Sequence, residues 1–214
     1  MEEYLKSTDT LDCDNERIIS LARELTAGCA TRSESAVKLF YFVRDSIPYS
    51  LYMISAFKED FTASRILEWG KGYCVQKAVL LTALGRAAEI PSRLAFARIR
   101  NNKVPEKIVR MTGTNIFPRH GYTQFFLDNA WVNVAPTFDK GLCEKIGVPT
   151  VEWDGKGDAT LPETDLNGNR YIEYVEKFGA YGDLPFDWIV NETSKTIGND
   201  KRPWLSREDV PGFA

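Results

Sequence analysis

Between Asn15 and Thr26 the apolar residues Ile18, Leu21, Ala22 and Leu25 recur at i, i+3, i+4 and i+7, the spacing of one helical face. A second helix is predicted after the cap candidates Thr31 or Ser33, carrying Ala36, Val37, Leu39, Phe40, Phe42 and Val43. It must stop before Pro48, because the residue preceding a proline is pushed out of the helical region. Residues 62–69 read as a short helix ended by Gly70. The next run, from about Tyr73 to Ala88, is apolar on almost every side, which predicts a helix buried in the core.

After Pro91 the pattern changes. Arg93 to Arg100 alternates in part and reads as a strand, whereas residues 101–118, with glycine, proline and mixed charge, read as an exposed connection. Gly121 to Leu127 and Ala130 to Ala135 are two β-prone runs joined by Asp128-Asn129, a hairpin signal. Beyond Pro136 the chain is loop-rich, with helical hints at Leu142–Ile146 and Arg170–Phe178, and the tail from Lys201 has little periodicity. The succession of helices and then strands predicts an α+β protein.

Composition narrows the function classes. At 214 residues the chain can form one large domain, or a domain plus extensions. A net charge of −3 gives no electrostatic reason to expect a nucleic acid or an anionic membrane as partner. The N-terminus, Met1-Glu2-Glu3-Tyr4-Leu5-Lys6, lacks an apolar signal core, and the run Ala78–Gly85 is too short to span a bilayer. A cytoplasmic protein with reduced thiols is therefore expected. The cysteines at 13, 29, 74 and 143 form no C-x-x-C pair, which argues against a zinc ribbon or a thioredoxin-type site. With one histidine, scattered cysteines and no calcium-binding cluster, no metal and no cofactor are expected.

The candidate chemistry lies in two segments. In Gly70-Lys71-Gly72-Tyr73-Cys74, a glycine-rich turn gives way to the apolar helix, so Cys74 stands at a helix N-terminus. Backbone N–H groups and the helix dipole there favour a thiolate. His120, the only imidazole in the chain, opens the first of the two paired strands. The simpler readings are a small buried cysteine and a core or strand-start histidine. Against them stands the order cysteine on a helix, histidine on a strand, then an acidic residue, which is the order of papain-like proteases.

Gly72-Tyr73-Cys74-Val75-Gln76-Lys77-Ala78, followed by Ala87-Ala88-Glu89-Ile90-Pro91-Ser92-Arg93, resembles the core motif of the transglutaminase-like superfamily, a G-x-C helix followed by G-I-P-x-R, with Glu89 in place of the glycine. His120-Gly121-Tyr122 and Trp131-Val132-Asn133-Val134-Ala135-Pro136-Thr137 resemble its histidine strand and its W-x-x-x-D-P-T strand. The resemblance covers about residues 35–140, and the segment after Asp139 looks like a tail found in a bacterial and archaeal branch. It implies a papain-like core, with the cysteine helix packed on an antiparallel sheet that carries histidine and aspartate. Residues 1–140 would form the helical N-terminal part and the catalytic core, and 141–214 a loop-rich extension packed on the same domain.

By the same resemblance Cys74 is the nucleophile and His120 the general base and acid. The family's third residue, the Asp before Pro-Thr, is Ala135 here. Alanine accepts no side-chain hydrogen bond, so Asp139 is expected to orient the imidazole, with Asn133 as runner-up and a helix cap as the alternative role for Asp139. The Cys74 backbone N–H is the natural oxyanion donor, with Tyr49 or Trp69 as a candidate second contact. The expected activity is hydrolysis of a peptide, protein or small amide or ester through a thioester. The alternatives are a non-catalytic binding module that retains the fold and an amine-accepting transglutaminase.

Overall fold

The computed structural model describes residues 1–197. Its central element is α4 (Cys74–Ala87), in which every residue from Val75 to Arg86 is buried. A helix that is apolar on all sides gains by being wrapped. Three helices, α1 (Glu16–Thr26), α2 (Arg32–Ser46) and α3 (Ala63–Trp69), pack around it, and a sheet covers the remaining side. Local chemistry fixes the boundaries. Asn15 and Thr31 cap α1 and α2 by accepting from the Arg17 and Glu34 N–H groups, and Gly70 ends α3 at φ 61°, a left-handed conformation glycine adopts freely.

Pro48 stops α2 as expected, and it leaves a polar group to be satisfied. The Arg44 carbonyl would accept from residue 48 in a continuing helix, and proline has no N–H. Lys77 of α4, fully buried, supplies the missing donor: its Nζ donates to the Arg44 carbonyl at 3.0 Å. Burial pulls the Lys77 ammonium down to about 7, against the opposing pull of Asp139 and Asp45.

The sheet is antiparallel where its strands pair, in the order β3-β2-β1-β4, with β1 Ser92–Asn101, β2 Ile116–Leu127, β3 Ala130–Val134 and β4 Ile172–Tyr181. The β2–β3 turn holds Asp128 at φ 47° and Asn129 at φ 64°, the paired left-handed conformations that a two-residue hairpin requires and that Asp and Asn tolerate. The α+β class and the cysteine helix packed on an antiparallel sheet are thus as expected.

Two expectations are corrected. Residues 101–118 are not only connection: α5 (Glu106–Thr112) forms there, ended by Gly113 at φ 72°, and β2 begins at Ile116 because Ile116 and Phe117 pair with Arg100 and Ile99. The helical hint at Arg170–Phe178 is the strand β4, paired with β1 from Leu94↔Tyr181 to Asn101↔Ile172. Its Tyr, Val and Phe residues suit extended backbone, and distant pairing outweighs an ambiguous local pattern. The hint at Leu142–Ile146 is the helix α6 (Lys140–Ile146), and α7 (Phe186–Ile197) follows β4. The tail from Lys201 lies outside the described residues.

The sheet meets α4 through alternate residues of β2. Gly121 faces Val75, Thr123 Oγ1 lies 3.0 Å from Thr82 Oγ1 and donates to the Ala78 carbonyl at 3.1 Å, and Phe125 lies against Gly85. Contact is closest at Gly85, where an added Cβ would stand 2.4 Å from Ser92 Oγ and 2.5 Å from the Phe125 ring. Gly85→Ala should therefore destabilise the protein by about 1–3 kcal/mol through overpacking, despite the better helix propensity of alanine, worth about 1 kcal/mol. Urea denaturation measures this, and a stabilised variant would refute the close packing.

Candidate active site

Cys74 is the first residue of α4, and its neighbours are locked before it. The Tyr73 N–H donates to Gln76 Oε1 at 3.3 Å, and Gln76 Nε2 donates to the Asp60 carbonyl at 3.0 Å, so a fully buried amide ties the helix start to its surroundings. The loop ahead is clamped to residues 48–50, with Gly72 N–H donating to Pro48 O at 3.2 Å and Ser50 N–H to Gly72 O at 3.0 Å. Cys74 as a residue is partly exposed, while its thiol is enclosed against β2 and donates to the Arg119 carbonyl at 3.9 Å.

Burial pushes the Cys74 thiol up to about 11; the N–H groups of Gly121, Val75 and Cys74 itself and the Arg119 charge pull the other way without prevailing. The helix terminus thus does act as expected on the sulfur, but enclosure outweighs it. His120, 1% exposed, is pushed by burial down to about 3, and its Nε2 is buried without a hydrogen-bond partner. Thiol and imidazole both stay neutral at pH 7. They line one cavity, together with Tyr49, Tyr73, Thr137 and Phe138, and no hydrogen bond joins them among the described residues.

Among the described residues Asp139 makes no hydrogen bond to His120. Its Oδ1 accepts from the Leu142 N–H at 2.9 Å, capping α6, and its Oδ2 accepts from the Tyr49 N–H at 2.9 Å. Two backbone donors hold the carboxylate, which makes the cap its role. Asn133 is also turned elsewhere: its Oδ1 accepts from Gln124 at 2.7 Å and its Nδ2 donates to Asp158 at 2.6 Å. Tyr49 does line the cavity, its ring 4.8 Å from that of Phe138. Trp69 does not line it; it ends α3 with the Arg65 guanidinium 5.1 Å over its ring.

In place of a carboxylate, His120 has aromatic walls. Tyr122 stacks on it, with ring centroids 5.9 Å apart and planes at 27°, and Tyr174 of β4 meets it edge-on at 5.9 Å and 71°. Alternation along β2 carries the signal for Tyr122, two residues from His120 on the same face. Nothing local signals Tyr174, since its strand reaches the site by pairing with β1. Arg119 was missed as well: it is buried, donates to the Trp188 carbonyl at 3.4 Å and faces Glu192 at 3.9 Å. Among the described residues no group of three or more His, Cys, Asp or Glu side chains is placed to hold a metal ion.

Residues 19–136 match the model of the Transglutaminase-like superfamily. The chain belongs to the transglutaminase-like superfamily. Cys74 and His120 fall inside the matched segment and Asp139 outside it. Among solved structures, it is similar to the "Putative Cysteine Protease" of Cytophaga hutchinsonii, with 14% identity and a TM-score of 0.49, covering 84% of this chain and 50% of that one. It is also similar to the periplasmic domain of TgpA from Pseudomonas aeruginosa, with 19% identity and a TM-score of 0.45, covering 62% of this chain and 45% of that one. The chain thus spans half or less of the length of these structures. No curated protein matches it. Among the described residues no helix is long and apolar enough to cross a membrane.

Because His120 is the only histidine in the chain, one NMR resonance reports it. It should stay neutral from pH 8 to pH 5 in the folded protein. An unfolded chain takes up its proton near 6.5 and the folded one only near 3, so stability should fall as pH drops below 6.5, by up to about 1.4 kcal/mol per unit from this group. A midpoint above 6 in the folded protein would overturn the buried, unpaired placement. Asp139→Ala should cost about 1 kcal/mol as a lost helix cap and leave the His120 resonance where it was.

Proposed function

We propose that this protein is a cysteine hydrolase that cleaves an amide, peptide or ester bond through a thioester on Cys74, with His120 as its proton-transfer partner. The observation that carries this reading is that the thiol, at the start of the buried helix, and the sole imidazole line the same cavity. Cys74 Sγ attacks the substrate carbonyl carbon as its proton passes to His120. The imidazolium gives that proton to the departing amine or alcohol, leaving the acyl group on sulfur. Water, losing a proton to His120, then attacks the thioester, and the acid and the free thiol are released. The Cys74 backbone N–H at the helix start is the candidate donor to the oxyanion.

The resting pair is thiol and neutral imidazole rather than an ion pair. Neutral His120 is in the protonation state a base requires, while the cost of removing the thiol proton falls within the attack itself. Among the described residues no carboxylate hydrogen-bonds His120, and the Tyr122 and Tyr174 rings flank the imidazole instead.

A second reading, a binding module without chemistry, is favoured by one observation: neither Asp139 nor Asn133 hydrogen-bonds His120. Turnover of activated esters and peptide amides, followed with intact-mass detection of the Cys74 thioester, separates the two. Cys74→Ala and His120→Ala should each lower turnover by more than about a hundredfold. Asp139→Ala should change it less than about threefold, because its hydrogen bonds are a cap and a loop tether. Acylation should stay level between about pH 5 and pH 9, because a thiol near 11 and an imidazole near 3 leave both groups in the neutral forms the step requires. A wild type that forms no thioester and matches Cys74→Ala with every substrate would leave the binding module as the better reading.

A further inference from the structure

The cavity around Cys74 is lined in a way that limits what can reach the sulfur. Its volume is about 400 Å³, within the range of small-molecule sites. One wall is Tyr49, Phe138, Leu142 and Ile146, built on α6 and the loop that Asp139 tethers. A second apolar part of the wall comes from Ile99, Ile108, Phe117 and Ile189, of β1, α5, β2 and α7.

Charge in the lining is already spent. No acidic side chain lines the cavity among the described residues, and its cations are Lys103 and Arg119. Lys103 Nζ sits 2.7 Å from Asp165, whose side chain is fully buried, and holds that carboxyl well below the usual range. Arg119 is committed to the Trp188 carbonyl and Glu192. A charged group entering this space would lose its water and find no free partner, a cost that neutral apolar groups do not meet.

Resting on the reading of Cys74 as nucleophile, we infer that the cavity is an acyl-group site selecting amides or esters whose acyl portion is large, uncharged and apolar. Such a group displaces water from both apolar parts of the wall while its carbonyl reaches the sulfur. A short acyl group fills little of the space, and an acidic one is excluded by the missing counter-charge.

The test uses p-nitrophenyl acetate, octanoate and succinate. In each acylation the Cys74 sulfur takes the acyl group and nitrophenol leaves with the thiol proton. Octanoate should exceed acetate in kcat/KM by at least about 60-fold, the value of three buried methylenes at about fourfold each, and succinate should be the poorest. Leu142→Asp or Ile108→Asp should cut the octanoate advantage below about fivefold, with circular dichroism and a cooperative urea transition certifying the fold of each variant. Calorimetry on Cys74→Ala with N-octanoylglycinamide should show binding with a negative heat-capacity change, absent for the acetyl analogue.

Cys74-dependent turnover with equal rates for acetate and octanoate, or with succinate preferred, overturns the apolar acyl site and leaves the hydrolase. Octanoyl binding with no turnover overturns the hydrolase and leaves the selectivity. A protein that sediments as a dimer, ignores the octanoyl amide and is made monomeric by Leu142→Asp has its cavity covered by a second copy, which also overturns the acyl site.

Discussion

Helix α4 approaches the sheet as closely as it does because glycine stands at both ends of the contact, Gly121 under Val75 and Gly85 under Phe125. Between them the hydroxyls of Thr82 and Thr123 pair with each other, and Thr123 also donates to the Ala78 carbonyl, in a buried interface. Interiors are close-packed, so a methyl group at either glycine must push helix and sheet apart. This fit places the first residue of α4 beside β2 and sets Cys74 against the backbone of residues 119–121. The thiol is positioned by core packing, with the loop before it merely pinned to the result.

The same enclosure governs the electrostatics. A helix N-terminus on an open surface would lower a cysteine pKa, but here the low-polarity surroundings of the sulfur outweigh the N–H groups aimed at it. Burial likewise sets the direction of the shift at His120. Thiol and imidazole are therefore both uncharged, in a site where the Arg119 guanidinium donates to the Trp188 carbonyl and faces Glu192.

What could be read from the chain follows the range of the forces involved. Helices α1 to α4 were legible because periodicity, caps and Pro48 are local, and α4 declared itself by being apolar on every face. That Cys74 opens a buried helix and His120 lies on a strand was legible from the position of each within its segment. β4 was not, because a Tyr- and Glu-rich stretch becomes a strand only when β1 offers its edge. The partners of Asp139 were not legible for a similar reason. Its fate depends on two N–H groups, one three residues ahead and the other, of Tyr49, ninety residues back, a separation no local pattern encodes. The alternation that would have put Tyr122 beside His120 was present in the sequence; Tyr174 had to await the fold.

Lys77 has a consequence beyond closing the hydrogen-bond account of α2. An amine near 7 is largely unprotonated at slightly alkaline pH, and so chemically avid, yet it lies where no reagent can touch it. Acylating reagents should reach it only when the seam between α2 and α4 opens. Lys77 is thus a clock placed one helical turn below the thiol, and the speed at which it is marked measures how often the floor of the site breathes.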